Sequence, residues 1–278
     1  DGSNTERSSP TQIPGTTWES NPGISAENNK SFVGANLAGF IKSDGTLWVW
    51  GGNGSGELGQ NQGPGQLGAV SSPVQVPGTT WKTLNIAGAN LGSISAIKTD
   101  GTLWAWGNNA FPHNEGGQLG LNDKTHRSSP TQIPGTTWKA CYMSGTNGGA
   151  TKTDGTLWTW GRGNQVGPLG HNNNSDYSSP KQVPGTTWDS VQGGWDNNMY
   201  FLRTDGTLWA TGVDDDGRLG QNSTGPAWAS RSSPIQIPGT TWAKITPAAG
   251  YNQVHGLKTD GTLWGWQKNG SGQLGIND

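Results

Sequence analysis

The sequence predicts an all-β fold, a β-propeller of five four-stranded blades, closed by the N-terminal strand completing the last blade. Three observations carry this expectation. First, Asp44-Gly-Thr-Leu-Trp48, Asp100-Gly-Thr-Leu-Trp104, Asp154-Gly-Thr-Leu-Trp158, Asp205-Gly-Thr-Leu-Trp209 and Asp260-Gly-Thr-Leu-Trp264 recur at steps of 56, 54, 51 and 55 residues. A period of that size marks solenoids and propellers. Second, 47 Gly and 16 Pro imply frequent turns, as many short strands require. Third, the hydrophobic fraction is only 29%, yet net charge is −2 and the chain holds 16 Trp. Disordered chains lack such aromatics, so here the indoles supply the core.

A second mark, Pro-Gly-Thr-Thr-Trp, begins at Pro14, Pro77, Pro134, Pro184 and Pro238. Before each lies a strand-like segment, such as Ser129-Pro-Thr-Gln-Ile133. One unit therefore reads strand, Pro-Gly turn, strand from Trp, short loop, strand, Asp-Gly turn, strand, long loop. Asp-Gly between two strand patterns is a hairpin signal, because Gly, and Asp less readily, tolerates the positive φ of a tight turn. The Leu-Trp-x-Trp run alternates faces as a strand must. Leu47 and Val49 point one way, Trp48 and Trp50 the other. The whole chain, 1–278, is read as a single propeller domain. Its units span about 9–71, 72–128, 129–178, 179–232, and 233–278 joined to 1–8. In the first unit 26 residues separate Trp18 from Asp44, against 19, 16, 17 and 18 in the others. The surplus near Asn21–Lys30 reads as a longer loop. The last unit stops inside the long loop and the first begins in it. Joining the two lets the strand near Pro10–Ile13 finish the last blade, which removes free sheet edges.

Composition narrows the chemistry. Cys141 is the lone cysteine, which rules out an intrachain disulfide and a Cys-based zinc site. His113, His126, His171 and His255 fall at different offsets in their units, with no metal-ligand spacing and no Ser/His/Asp order. The expectation is therefore no enzyme, no catalytic residues and no cofactor. Asp214, Asp215 and Asp216 are the one dense carboxylate cluster. Three adjacent Asp lack the spaced oxygen ligands of a calcium loop, so the cluster reads as a solvated acidic loop, with calcium as its weaker alternative. No apolar run is long enough to span a membrane as a helix.

The motif Asp100-Gly-Thr-Leu-Trp-Ala-Trp-Gly107, then Gly117-Gln-Leu-Gly120, then Arg127-Ser-Ser-Pro130, resembles the regulator of chromosome condensation repeat family, particularly its bacterial and bacteriophage members. The likeness extends over the whole chain in five copies. It implies a propeller, although the best-known members have seven blades and five is a departure. Family roles include guanine-nucleotide exchange, chromatin docking, light sensing and inhibition of secreted β-lactamases. The resemblance thus implies work through protein surfaces, with no catalytic motif to transfer. Chromatin-docking members carry a basic tail. None is present here, so a nucleic-acid partner is not expected.

Fourteen of the 16 Trp sit on the repeat register and read as packing residues. Strands in a blade run antiparallel, so alternate connections open on one face. The Asp-Gly and Pro-Gly-Thr-Thr turns share a nearly invariant face. The other face carries all the length variation and the off-register aromatics. Loops on a rigid scaffold are where binding concentrates. The expected binding surface is this variable-loop face, with Phe111, His113, Tyr177, Trp195, Trp228 and Tyr251, and with Trp195 and Trp228 as anchors. The competing reading is that these side chains pack their own loops. The expected function is a non-catalytic interaction or structural module with a protein partner or larger assembly, in a particle-surface or extracellular setting. A glycan-binding propeller is the alternative. A GTPase regulator or an inhibitor of a secreted enzyme ranks behind both.

Overall fold

The computed structural model describes residues 5–19, 29–34, 36–63, 65–87, 92–110, 116–163, 166–194, 197–222, 230–247 and 253–276. These residues form five antiparallel sheets. The first holds β1 (Ser31–Val33), β2 (Leu37–Ile41), β3 (Leu47–Gly51) and β4 (Val70–Gln75). The second holds β5 (Trp81–Ile86), β6 (Ser93–Lys98), β7 (Leu103–Gly107) and β8 (Arg127–Ile133). The third holds β9 (Trp138–Met143), β10 (Asn147–Lys152), β11 (Leu157–Gly161) and β12 (Tyr177–Val183). The fourth holds β13 (Trp188–Gly193), β14 (Asn198–Arg203), β15 (Leu208–Val213) and β16 (Ser230–Ile237). The fifth holds β17 (Trp242–Pro247), β18 (Gln253–Lys258) and β19 (Leu263–Gln267).

Each sheet is a meander in sequence order, so every hairpin is local. The strands that begin at Trp81, Trp138 and Trp188 pack against one another from sheet to sheet, which makes them the inner strands. The Ser-Pro-x-Gln strands lie outermost. The apolar core sits between sheets rather than within them. One cluster joins the Leu47–Val49 side of the first sheet to Trp81, Leu84, Ile86 and Trp106 of the second. Three further clusters repeat this across the next three interfaces. Period-2 alternation explains it: Leu103 and Ala105 face the following blade, and Trp106 faces the preceding one.

The Asp-Gly segment forms the expected tight hairpin, with the positive φ at Gly alone. Gly101 N–H donates to Lys98 O at 3.0 Å, and only Gly101 has positive φ, at 78°. This is a type I turn followed by a left-handed Gly, the three-residue hairpin loop. Asp100 serves as an acceptor instead. Its Oδ1 takes Thr102 N–H at 2.9 Å and Thr102 Oγ1–H at 2.7 Å, and Thr102 Oγ1 accepts Trp104 Nε1–H at 2.8 Å. The same relay stands at all five turns. It explains why Asp, Gly, Thr and Trp recur together.

Most of the longer loop expected near Asn21–Lys30 lies outside the described residues. Trp18 bridges Lys42 alone, and pairing resumes at Ser31 opposite Phe40. The other inner strands shift register at the same place, as between Trp81 and Thr83. A bulge is where a sheet accepts extra residues.

The closing strand corrects the expectation. The fifth sheet has three strands, and residues 5–17 are exposed and belong to no strand. Leu263 is 69% exposed and Trp264 50%, whereas Leu47, Leu103, Leu157 and Leu208 are all 0%. The reason lies in the seam between the fifth and first sheets. Cβ atoms placed on Gly45, Gly101 and Gly206 would meet Thr80, Thr137 and Thr241 of the next blade at 3.0–3.1 Å, but Gly261 has nothing within 4 Å. Among the described residues, Ser9–Ile13 belong to no strand.

Burial predicts unequal costs at one motif position. Leu103→Ala is expected to destabilise by about 2–5 kcal/mol as a buried cavity mutation, and Leu263→Ala by well under 1 kcal/mol. Urea denaturation of both variants checks this.

Candidate functional site

The rim formed by the two invariant turns is a continuous hydrogen-bonded belt. Within a blade, Thr99 N–H donates to Thr80 O at 2.9 Å, with equivalents at Ser43, Thr153, Thr204 and Thr259. Between blades, Trp81 N–H donates to Gly45 O at 3.0 Å, and Trp138, Trp188 and Trp242 donate to Gly101, Gly155 and Gly206 at 2.9 Å. The belt holds Thr17, Thr80, Thr137 and Thr241 at φ of 63–67°. A β-branched residue there costs of order 1–3 kcal/mol, which the surrounding bonds offset.

Beneath the belt lie cations that sequence reasoning missed. Lys98 Nζ sits 4.7 Å from the Trp81 ring centroid and 4.5 Å from that of Trp104. Lys42, Lys152, Arg203 and Lys258 occupy the same position between their own two indoles at 4.4–4.7, 4.7–4.8, 4.3–4.5 and 4.3–4.9 Å respectively. The signal was legible as one Lys or Arg two residues before each motif Asp. Each cation–π contact contributes about 0.5–2 kcal/mol. This face is thus committed to the scaffold: the cations tie strands within a blade, and the backbone belt joins blade to blade.

The opposite face is built from loops stapled at their roots. Asn53 Oδ1 accepts Leu58 N–H at 3.0 Å, Asn109 Oδ1 accepts Leu119 N–H at 2.9 Å, and Asn269 Oδ1 accepts Leu274 N–H at 3.0 Å. The loop then reaches the next blade. Trp106 Nε1–H donates to Glu57 O at 2.9 Å, Trp160 to Gln118 O at 2.7 Å and Trp266 to Arg218 O at 3.1 Å. Thr211, which breaks the Trp register, keeps the bond by donating its hydroxyl to Pro168 O. Above these staples, between the first and second sheets, a 240 Å³ cavity opens among Asn36, Leu37, Ser55, Glu57, Ile86 and Gly92. It mixes apolar walls with a buried carboxylate.

Of the sequence-predicted binding residues, Phe111, His113, Trp195, Trp228 and Tyr251 lie outside the described residues. Tyr177 is placed at the start of β12 in a clamp of its own blade. Its hydroxyl accepts from Lys181 Nζ at 2.6 Å and Asn173 Nδ2 at 3.0 Å, and His171 packs edge-on at 5.0 Å. Lys181 holds the phenol below its usual pKa by hydrogen bonding. Thr159 donates to Leu169 O at 2.7 Å, which leaves His171 Nε2–H to donate to Thr159 Oγ1 at 2.9 Å. Burial first, and the nearby Lys181 charge second, push the imidazole down to about 4.

The acidic cluster separates into three roles. Asp214 stands where Asn53, Asn109 and Asn269 stand, and its Oδ1 accepts Leu219 N–H at 3.3 Å. Burial raises its pKa. Asp215 pairs with Arg218 at 2.7 Å, and Asp216 with Lys268 at 3.1 Å. The three carboxylates do not converge, and among the described residues no group of three His, Cys, Asp or Glu side chains could hold a metal ion. Cys141 is buried against Ser95 Oγ at 3.5 Å, and burial pushes its thiol up. No helix among the described residues is long and apolar enough to cross a membrane.

Radially packed four-stranded meanders stapled loop to blade define a propeller built from sequence repeats. Residues 100–142 and 154–200 match the Regulator of chromosome condensation (RCC1) repeat model. The chain is 28% identical to the ultraviolet-B receptor UVR8 of Arabidopsis thaliana over 244 residues, covering 86% of this chain and 52% of that protein. It is 29% identical over 270 residues to the mitochondrial RCC1 domain-containing protein RUG3 of the same plant, covering 91% and 57%. The crystal structure of Prp20p from Saccharomyces cerevisiae superposes with a TM-score of 0.68 at 18% identity, covering 87% of this chain and 58% of that one. The chain thus carries two stretches that match the RCC1 repeat and is similar to RCC1-type repeat proteins, and it spans about half the length of the curated relatives it matches.

Two predictions follow from the local chemistry. Thr102→Val breaks the relay at its centre, so the Asp100 carboxyl, now held below its ordinary value chiefly by Thr102, rises toward that value. Carbon-detected NMR titration reads the rise. His171 has a folded pKa below its unfolded 6.5, so the unfolded chain binds the extra proton between about pH 6.5 and 4. Stability is complete above that window and falls as pH drops through it, by about 1–2 kcal/mol once the half-exposed ring is discounted for solvent screening. His171→Gln is expected to flatten that part of the urea-midpoint profile.

Proposed function

We propose that this chain is a non-catalytic protein-interaction propeller that engages its partner through the variable-loop face. The observation that carries the reading is the division between faces. One rim is committed to backbone bonds that join blades and to cation–indole contacts that tie the strands within each blade. The other presents loops of unequal length over a fixed base, with a cavity at its first interface. The RCC1-type relationship supports a protein partner. Prp20p, a structural neighbour, was described with its binding to Gsp1p and histones. The non-catalytic reading is supported by the local fate of reactive groups. His171 is tied to Thr159, His126 Nδ1 accepts Asn109 N–H at 3.0 Å, and Cys141 is buried. A glycan platform of register tryptophans has less support, because each outer indole already carries a Lys or Arg on its ring. The resemblance to bacterial and phage members suggests a particle or cell surface as the setting.

Crosslinking pull-down from the native source, followed by binding of the captured protein to variants, tests the reading. Trp195→Ala combined with Trp228→Ala is expected to weaken binding about tenfold or more, as loss of aromatic anchors does. Thr79→Ala, on the exposed turn rim, is expected to leave it unchanged. Equal binding by all variants, with the fold intact, overturns the assignment.

A further inference from the structure

The second position of the Gly-x-Leu-Gly staple holds a charge that other staples do without. The five staples carry Glu57, Gln118, Pro168, Arg218 and Gln273 there. Glu57 Oε2 accepts Ser55 N–H at 2.7 Å, and in the fifth unit the neutral Gln273 Oε1 accepts Ser271 N–H at 2.7 Å. The bond therefore needs an oxygen and not a charge. Arg218, the other charged member, is paired with Asp215 at 2.7 Å. Glu57 is only 8% exposed. The described residues include all 17 Lys and Arg of the chain, and among them none forms an ion pair with Glu57. A buried carboxylate is costly without a cation to compensate it.

The carboxylate opens into the 240 Å³ cavity between the first and second sheets. Its Oε1 lies over Gly92, where any Cβ would collide with it. Leu37, Ile86 and Ala87 supply apolar wall, and Asn36 and Ser55 supply polar lining. The acid is held in place before any guest arrives, because Trp106 Nε1–H donates to Glu57 O at 2.9 Å and Ser55 N–H fixes Oε2. The volume falls below the about 300–1,000 Å³ of small-molecule sites. It matches a single long side chain better than a whole ligand. A lone carboxylate also falls short of the about six to eight oxygen ligands of calcium.

We propose that this cavity receives one lysine side chain of a protein partner, its methylenes along Leu37, Ile86 and Ala87 and its ammonium on Glu57 Oε1. Lysine is favoured over arginine because Ser55 N–H already occupies Oε2. A guanidinium gains most from two parallel bonds to both oxygens, whereas an ammonium is a point charge that one oxygen can serve. The proposal rests on the loop-face reading and names the chemistry that the partner presents to that face.

NMR titration of the isotope-labelled chain with Nα-acetyl-lysine N-methylamide tests the site with no partner present. The Ser55 and Gly92 amide signals are expected to shift and saturate in the millimolar range. The norleucine analogue, which keeps the stem and lacks the amine, is expected to give no saturation. Glu57→Gln retains the oxygen that Gln273 uses for the same bond, and it is expected to weaken the lysine analogue about tenfold or more, the worth of one charge-assisted hydrogen bond. Equal binding by the variant or by the norleucine analogue overturns the proposal, as does an unshifted Ser55 and Gly92 in folded protein. Should the variant fail to fold, the two analogues on the unaltered chain decide. Free lysine binding about tenfold tighter than the blocked analogue makes this a free amino-acid site and overturns the side-chain assignment. With the captured partner, Glu57→Gln is expected to raise Kd about tenfold, and an unchanged Kd overturns the assignment. The loop-face reading stands or falls separately, on the Trp195 and Trp228 variants.

Discussion

The structure depends on one recurrent joint: the backbone N–H of Trp81, Trp138, Trp188 and Trp242 donating to the carbonyl of the preceding blade's Asp-Gly turn. That turn exposes its carbonyl because the glycine adopts a left-handed conformation. The approaching chain comes so close that a Cβ on Gly101 would stand 3.1 Å from Thr137 N. A second joint lies at the opposite end of the interface, where the last Trp of the hairpin donates its indole N–H to the loop of the blade before it. Two polar joints at the ends, with an apolar cluster between them, fix each blade on its neighbour. Repeat proteins gain stability through such nearest-neighbour terms.

This arrangement accounts for a chain with so little aliphatic content. Indoles fill the space that Leu and Val would fill, and each still has a use for its N–H or its ring face. The outer indole donates to a motif Thr and carries a cation. The last one donates to a loop carbonyl. The inner one stacks edge-on to the outer at about 6.3 Å, as between Trp81 and Trp104. In four of the five units the inner indole N–H stays unpartnered behind a left-handed Thr. In the fourth, Thr187 is not left-handed, and Trp188 Nε1–H donates to Pro184 O at 3.1 Å. The belt and the indole compete for the same turn, and the belt prevails in most blades.

The same logic separates function from scaffold. A face whose backbone groups are engaged between blades and whose cations are engaged within them has little freedom to vary, and its turns are almost identical in all five units. The stapled loops of the other face need only a short polar root and a Gly-x-Leu-Gly segment to lock onto the next blade. Beyond those anchors their length and chemistry are free, which is the condition under which a binding surface diverges. Tyr177 shows the limit of that freedom, since the clamp with His171 and Lys181 ties it to its own loop.

Period, strand pattern and turn chemistry were all legible in the sequence, because each is a local property repeated five times. The four strands per unit, the face of each motif residue and the bulge-tolerant inner strand need only neighbouring residues. The partner of each side chain was not legible. That Asp100 holds a Thr rather than a left-handed backbone, that Lys98 lies between two indoles, and that Asp214 substitutes for a loop-root Asn depend on which strands come together. Closure is the clearest case. Arg7–Ile13 has the sequence of an outer strand, but whether it meets β19 is set by the rotation accumulated over four interfaces, and no single repeat encodes that sum. Sequence determined the blade; the packing of blade on blade decided where the array leaves its edges.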